Sequence, residues 1–97
     1  MFDINLRPDG VVALEGRLDA SQVDAAKSVL DRITGSCTLD FGGLSYISSA
    51  GLGLLFATQK RLVDTGEALT LANLNPHIRE IFTIAGFDHI FTIESAR

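Results

Sequence analysis

Two adjacent serines, Ser48 and Ser49, are followed by Ala50, Gly51, Leu52 and Gly53. A seryl hydroxyl can accept a phosphoryl group, attack an ester once a base activates it, or cap a helix. The small residues at 50, 51 and 53 would let another protein's backbone or active site come close to the hydroxyl. If a helix begins here, its unpaired N–H groups and the positive end of its dipole favour added negative charge. A phosphate on Ser49 would bring about −1.5 to −2 charges and three acceptor oxygens. The domain itself could carry that charge, whereas a partner packed on the same surface would meet desolvation and, if acidic, repulsion. The same residues also read as an ordinary N-cap followed by packing glycines, and spacing alone does not separate the two.

Other chemistries fit less well. A serine hydrolase needs Gly-x-Ser-x-Gly and a histidine to take the proton, and Ser49 has no glycine two residues before it. His77 and His89 read as surface residues. Gly51-Leu52-Gly53 lacks the third glycine of a dinucleotide loop, and no Gly-Lys-Ser/Thr follows for a P-loop. Two histidines and one cysteine, Cys37, are far apart and make a poor zinc set. Asp19 and Asp40 could share a metal, but they read better as a cap and a solvent-facing charge at a strand end. No catalytic constellation is visible, and the expectation is a binding protein rather than an enzyme, with no cofactor and no metal.

The elements that would position the serines can be read from periodicity. Phe2, Ile4 and Leu6 alternate with Asp3, Asn5 and Arg7, the pattern of a half-buried strand. Pro8-Asp9-Gly10 is a turn, and Val11 to Leu14 an apolar run that pairs back as a hairpin. Gly16-Arg17-Leu18-Asp19 ends this strand, and Asp19 or Ser21 can cap a helix whose stripe is Val23, Ala26, Val29, Leu30 and Ile33, with Gly35 stopping it. Cys37 to Phe41 is a third strand, broken by Gly42-Gly43. A second helix starts at Ser48-Ser49, with Leu52, Leu55, Phe56, Leu62 and Val63 on one face and Lys60 and Arg61 near its C-terminus, and Gly66 terminates it. Ala68 to Ala72 is a fourth strand. Asn75-Pro76 opens a third helix with Ile78, Ile81, Phe82 and Ala85 inward, and Gly86 closes it. Ile90 to Ile93 is a final strand or a docking segment. The order β-β-α-β-α-β-α, with a possible last β, predicts one α/β domain over residues 1–97. Its mixed sheet would have four or five strands, with helices packed on it.

Composition sets the context. Of 97 residues 46% are hydrophobic and 21% charged, ordinary for a folded domain, and the net charge is −4. No basic run is present to neutralise a phosphate backbone, so direct nucleic-acid binding is not expected. The alternating N-terminal residues do not resemble a signal peptide, and no apolar stretch reaches about 18 residues. A cytoplasmic domain without membrane insertion is the expectation, and a lone cysteine fits a reducing compartment.

From Asp40 to Gly53 the chain resembles the signature of the STAS family, the bacterial anti-sigma factor antagonists. In that signature an apolar strand and a short loop lead into Asp-Ser-Ser-Gly-Leu, or a close variant, opening a helix. The family's phosphorylated serine stands two residues before the glycine, as Ser49 stands before Gly51. Gly51-Leu52-Gly53, Gly16-Arg17-Leu18-Asp19, Asn75-Pro76 and Ala85-Gly86-Phe87-Asp88 extend the resemblance along nearly the whole chain. Where many members carry Asp before the phosphoserine this chain has Ser48, which becomes a second candidate acceptor.

The resemblance implies a STAS-like fold and a partner that is both anti-sigma factor and serine kinase. That kinase would bring its own ATP, and a phosphatase would reset the switch, regulating sigma-factor-dependent transcription. The implied partner surface is Asp19, Tyr46, Ser48, Ser49, Ala50, Gly51 and Leu52, with Gln59 and Lys60 as weaker members on the second helix. It also suggests that the Asp19 loop lies beside Ser49, close enough for the carboxylate to bond the hydroxyl or attract a basic group. The alternative is a STAS binding module that is not phosphorylated and docks on the ATPase of a transport complex.

Overall fold

The first seventeen residues explain the start of the sheet. In the computed structural model, which describes residues 1–94, Phe2–Leu6 (β1) pairs antiparallel with Val12–Leu18 (β2). The turn between them is held by the Asp9 carboxylate, which accepts from Val11 N–H at 3.0 Å and from Arg7 at 2.7 Å. β2 continues to Leu18 rather than stopping after Leu14. Gly16 makes that possible: its φ is +86°, and a Cβ there would sit 2.0 Å from the Met1 carbonyl oxygen, which accepts from Arg17 N–H.

A 3₁₀ turn at Ala20–Gln22 leads into α1, Val23–Leu30. The helix ends at Leu30, not at Gly35. Arg32 and Ile33 N–H groups close tighter bonds to Val29 and Leu30, and the Arg61 guanidinium takes the Leu30 and Ile33 carbonyls at 2.9 and 2.8 Å. Those terminal acceptors therefore have partners without a glycine cap.

Cys37–Ile47 (β3) runs parallel to β2 through Gly42-Gly43 without breaking. The register moves from Ala13↔Asp40 to Glu15↔Gly43, and from Gly16↔Leu44 to Arg17↔Tyr46, so β3 carries one extra residue at each step. These bulges absorb the glycines and reset which side chains face inward: Leu39, Phe41, Leu44 and Ile47 are all buried.

Ser49–Val63 (α2) follows, then Leu69–Ala72 (β4), Pro76–Ile84 (α3), a second 3₁₀ turn at Phe87–His89, and Thr92–Ile93 (β5). The Asn75 side chain accepts from Ile78 N–H with Pro76 in the first turn, and Gly86 adopts φ +77° after the helix, both as their residue types require. Ala85, expected inward, is exposed. The five-stranded sheet has the order β1-β2-β3-β4-β5, with β2 to β5 mutually parallel. The last three residues of the expected 1–97 domain lie outside the described residues.

Alternation along the strands places the core. Val12, Leu14, Leu18, Leu39, Phe41, Leu69 and Leu71 are buried, while Glu15 and Arg17 between them are exposed. Successive right-handed crossovers stepping in one direction put the helices on one face and leave the other to solvent. Phe82 centres an aromatic cluster, with Phe41, Phe87 and Phe91 ring centroids 5.9–6.1 Å away.

α2 is rotated from its expected orientation. Its buried residues are Gly51, Leu55, Thr58, Gln59 and Leu62, whereas Phe56 and Val63 are 40% and 54% exposed. Phe56 instead stacks on Phe87 at 5.7 Å. Gln59 is the clearest correction: it is buried, donates to the Ile90 carbonyl at 2.8 Å and accepts from Leu69 N–H at 2.7 Å. It ties the last loop to β4 and is not a surface contact. Lys60 is exposed.

Candidate functional site

The N-terminus of α2 is built on the carboxyl ends of β2 and β3. Leu18 pairs with Ile47, and Ser48 N–H donates to the Leu18 carbonyl at 2.9 Å, so the Asp19 turn lies next to the two serines. The backbone of Ser48 is extended, and its Oγ accepts from Gly51 N–H at 3.1 Å. Ser48 is thus the N-cap, and Ser49 is the first helical residue, exposed to solvent with its hydroxyl in no side-chain hydrogen bond among the described residues.

The two glycines differ. Gly51 is buried, and a Cβ there would meet Leu18 Cγ and Ile47 Cγ1, each at 2.9 Å. It allows α2 to descend onto the strand ends, so its part in the expected surface is structural rather than a contact. Gly53 is exposed and a Cβ there would meet nothing within 4 Å. A mid-helix glycine costs about 1 kcal/mol relative to Ala, and no contact among the described residues requires it.

Of the other expected residues, Ala50 is exposed, and Tyr46 and Leu52 are half-buried at the same end. Asp19 is also half-buried, but its carboxylate does not reach Ser49. It accepts from Ser21 Oγ at 2.6 Å and Ser21 N–H at 3.0 Å, and these bonds hold its pKa below the usual carboxylate value. The residue that sequence reasoning passed over is Arg17. Its guanidinium stacks 4.2 Å from the Tyr46 ring centre, on the helix-free face beside the serines. The parallel pairing Arg17↔Tyr46 brings them together, and that pairing depends on the bulge at Ser45.

The remaining candidates are dispersed. Asp40 pairs opposite Ala13, six residues back along β2 from Asp19, or roughly 20 Å at about 3.3 Å per residue. The two cannot share an ion. Asp40 is also not a free strand-end charge: its carboxylate accepts from Asn73, Gly42 N–H and Arg7, which lower its pKa. Among the described residues no group of three or more His, Cys, Asp or Glu side chains could hold a metal. Cys37 is half-buried, and burial raises its thiol pKa, away from a reactive thiolate. His77 and His89 are exposed and make no hydrogen bond with Ser49. No described helix is long and apolar enough to cross a membrane.

The site is thus a solvent-facing hydroxyl at a helix N-terminus, framed by two strand ends, with no side-chain base bonded to it among the described residues. The chain belongs to the STAS domain family: the family described as "Mlab, STAS domain" matches residues 4–93. It is 34% identical over 91 residues to BtrV of Bordetella bronchiseptica, which is named for anti-sigma factor antagonism, covering 90% of this chain and 78% of BtrV. Solved structures agree on the fold. One, named as an anti-sigma factor antagonist from Thermotoga maritima, superposes with TM-score 0.81 at 22% identity, covering 98% of this chain and 86% of that one. The unphosphorylated form of SpoIIAA superposes with TM-score 0.71 at 20% identity, covering 100% and 90%. Its phosphorylated form, from Bacillus, gives 0.69 at 20% identity, covering 98% and 92%.

Proposed function

We propose that this chain is an anti-sigma factor antagonist that docks on a kinase-type anti-sigma factor and is released when Ser49 is phosphorylated. The observation that carries this reading is the division of labour between the two serines. Ser48 Oγ is held by Gly51 N–H, whereas Ser49, one residue further on, is exposed and its hydroxyl makes no side-chain hydrogen bond among the described residues. A kinase can therefore take the second hydroxyl without dismantling the cap. Membership of the family and the likeness to BtrV and to a protein known in phosphorylated form support it.

In the unmodified state the partner would cover Ser49, Ala50 and Leu52 and reach the Asp19 turn and Tyr46. Gly53 supports close approach, since a Cβ there is sterically free within the chain yet absent. Transfer forms a bond from Ser49 Oγ to the γ-phosphorus of the partner's ATP, releases ADP and passes the seryl proton to a base of the kinase. The product places about −1.5 to −2 charges at the end of α2 that tolerates them. The partner surface must then desolvate that charge or withdraw, and a phosphatase that hydrolyses the ester would restore binding.

The test is incubation with the candidate kinase and ATP, followed by intact mass and peptide mapping. One phosphate adduct is expected, retained in Ser48→Ala and lost in Ser49→Ala, and Ser49→Asp should weaken partner binding by tenfold or more with the fold intact. Full affinity in Ser49→Asp would overturn the switch. Binding without any adduct would instead favour a docking module that is not phosphorylated.

A further inference from the structure

The two edges of the sheet are unequal. Among the described residues β5 offers two, too few to template another strand, while β1 offers five with no Pro, no Lys and no bulge in its pairing to β2. Arg7 N–H donates to the Val11 carbonyl and the Met1 carbonyl accepts from Arg17. The odd-numbered residues therefore turn their backbone groups toward β2, and Phe2, Ile4 and Leu6 turn theirs outward. Leu6 is also 58% exposed and borders a hollow of about 180 Å³ lined in part by Val12, Val29, Ile33 and Cys37. Among the described residues, an unpaired backbone edge thus lies beside exposed apolar surface.

We infer that this edge pairs with the β1 edge of a second copy, antiparallel and about a two-fold axis through Ile4. Three symmetric registers would let more than one outward residue of β1 meet an outward residue of the copy. An axis at Asp3 sets Asp3 against its own copy, a like-charge pair. An axis at Asn5 sets Phe2 opposite Pro8, which has no N–H, and needs Arg7 for Asp3 of the copy although Arg7 already binds Asp9 and Asp40. The axis at Ile4 pairs Phe2 with Leu6 of the copy, Ile4 with Ile4, and Leu6 with Phe2. Every outward N–H and C=O of these residues is used, and the exposed Leu6 is covered by an aromatic ring on the same face. Asp3 then faces Asn5 of the copy, repeating the amide–carboxylate bond that Asn5 and Asp3 make within one chain at 3.0 Å. The result is a closed C2 assembly with one continuous sheet. Because β2 and β3 of the two copies run in opposite directions, the Ser49 ends point apart and each stays open to a partner. This inference does not rest on the phosphorylation reading.

Light scattering of the full chain across a concentration series reaching about 100 μM should show a mass rising toward twice the monomer, as a small interface implies. Leu6→Lys should weaken self-association by about tenfold or more while leaving partner binding, and the melting temperature at concentrations where the parent is monomeric, unchanged. In a Cys37→Ser background, Ile4→Cys should cross-link to itself on mild oxidation, since paired Cα atoms here would be about 5.5 Å apart, and Asn5→Cys should not. A monomeric mass throughout, a dimer indifferent to Leu6→Lys, or cross-linking by Asn5→Cys in place of Ile4→Cys would overturn the proposal.

Discussion

The two halves of α2 use polar residues in opposite ways. In the C-terminal half, Gln59 bridges β4 and the last loop, Arg61 takes two carbonyls of the α1 terminus, and Thr58 bonds back to Leu54. In the N-terminal half Ser48 is used internally, whereas Ser49, Ala50 and Gly53 face solvent with no partner among the described residues that explains them. The difference separates residues that hold the fold from those left available. A polar group whose hydrogen bonds are all internal is accounted for by stability, and one left free where two strand ends and a helix dipole converge is not.

That contrast can be broken by substitutions along α2. The largest effect should come from Gln59→Leu, which leaves Leu69 N–H and the Ile90 carbonyl without partners; a loss of about 2–4 kcal/mol is expected in urea unfolding. Ser48→Ala removes the cap and should cost about 1 kcal/mol. Gly53→Ala should move the other way, raising stability by about 0.5–1 kcal/mol because the site has room, while weakening partner binding if a partner backbone approaches there. An Ala variant that binds as well as the parent would show that the glycine serves nothing at the surface. Ser49→Ala should change stability by less than about 0.5 kcal/mol, and a larger loss would mean that its hydroxyl belongs with the structural group.

A titration sharpens the same distinction away from the helix. Asp40 has a folded-state pKa below its ordinary 3.8, first through Asn73 and then through Gly42 N–H and Arg7. A depressed carboxylate stabilises the fold above its unfolded pKa, and that contribution disappears as pH falls through the folded value. Stability should therefore drop as the solution is taken from about pH 5 to below pH 3, and Asp40→Asn should flatten that part of the curve while lowering stability at neutral pH. An unchanged slope would show that Asp40 is not held by these groups.

The elements and their order were legible in the sequence wherever a residue type has one strong local preference. Asn75-Pro76 opens α3, Gly86 closes it, one serine of the Ser48-Ser49 pair caps α2 and the Pro8-Asp9-Gly10 turn makes the hairpin, because cap, ring and φ constraints act over one to four residues. The serine pair at the mouth of α2 was legible for the same reason. The inward face of α2, the continuity of β3 through Gly42-Gly43 and the meeting of Arg17 with Tyr46 were decided only in three dimensions. Each depends on bulges and on neighbours distant in the chain, and period alone carries no information about those. Gln59 makes the point most sharply: its side chain reads as solvated until the backbone groups of Leu69 and Ile90, 10 and 31 residues away, are brought to it. Local sterics and hydrogen bonding fix where elements begin and end; which of their polar atoms remain free is settled by what else the fold delivers to them.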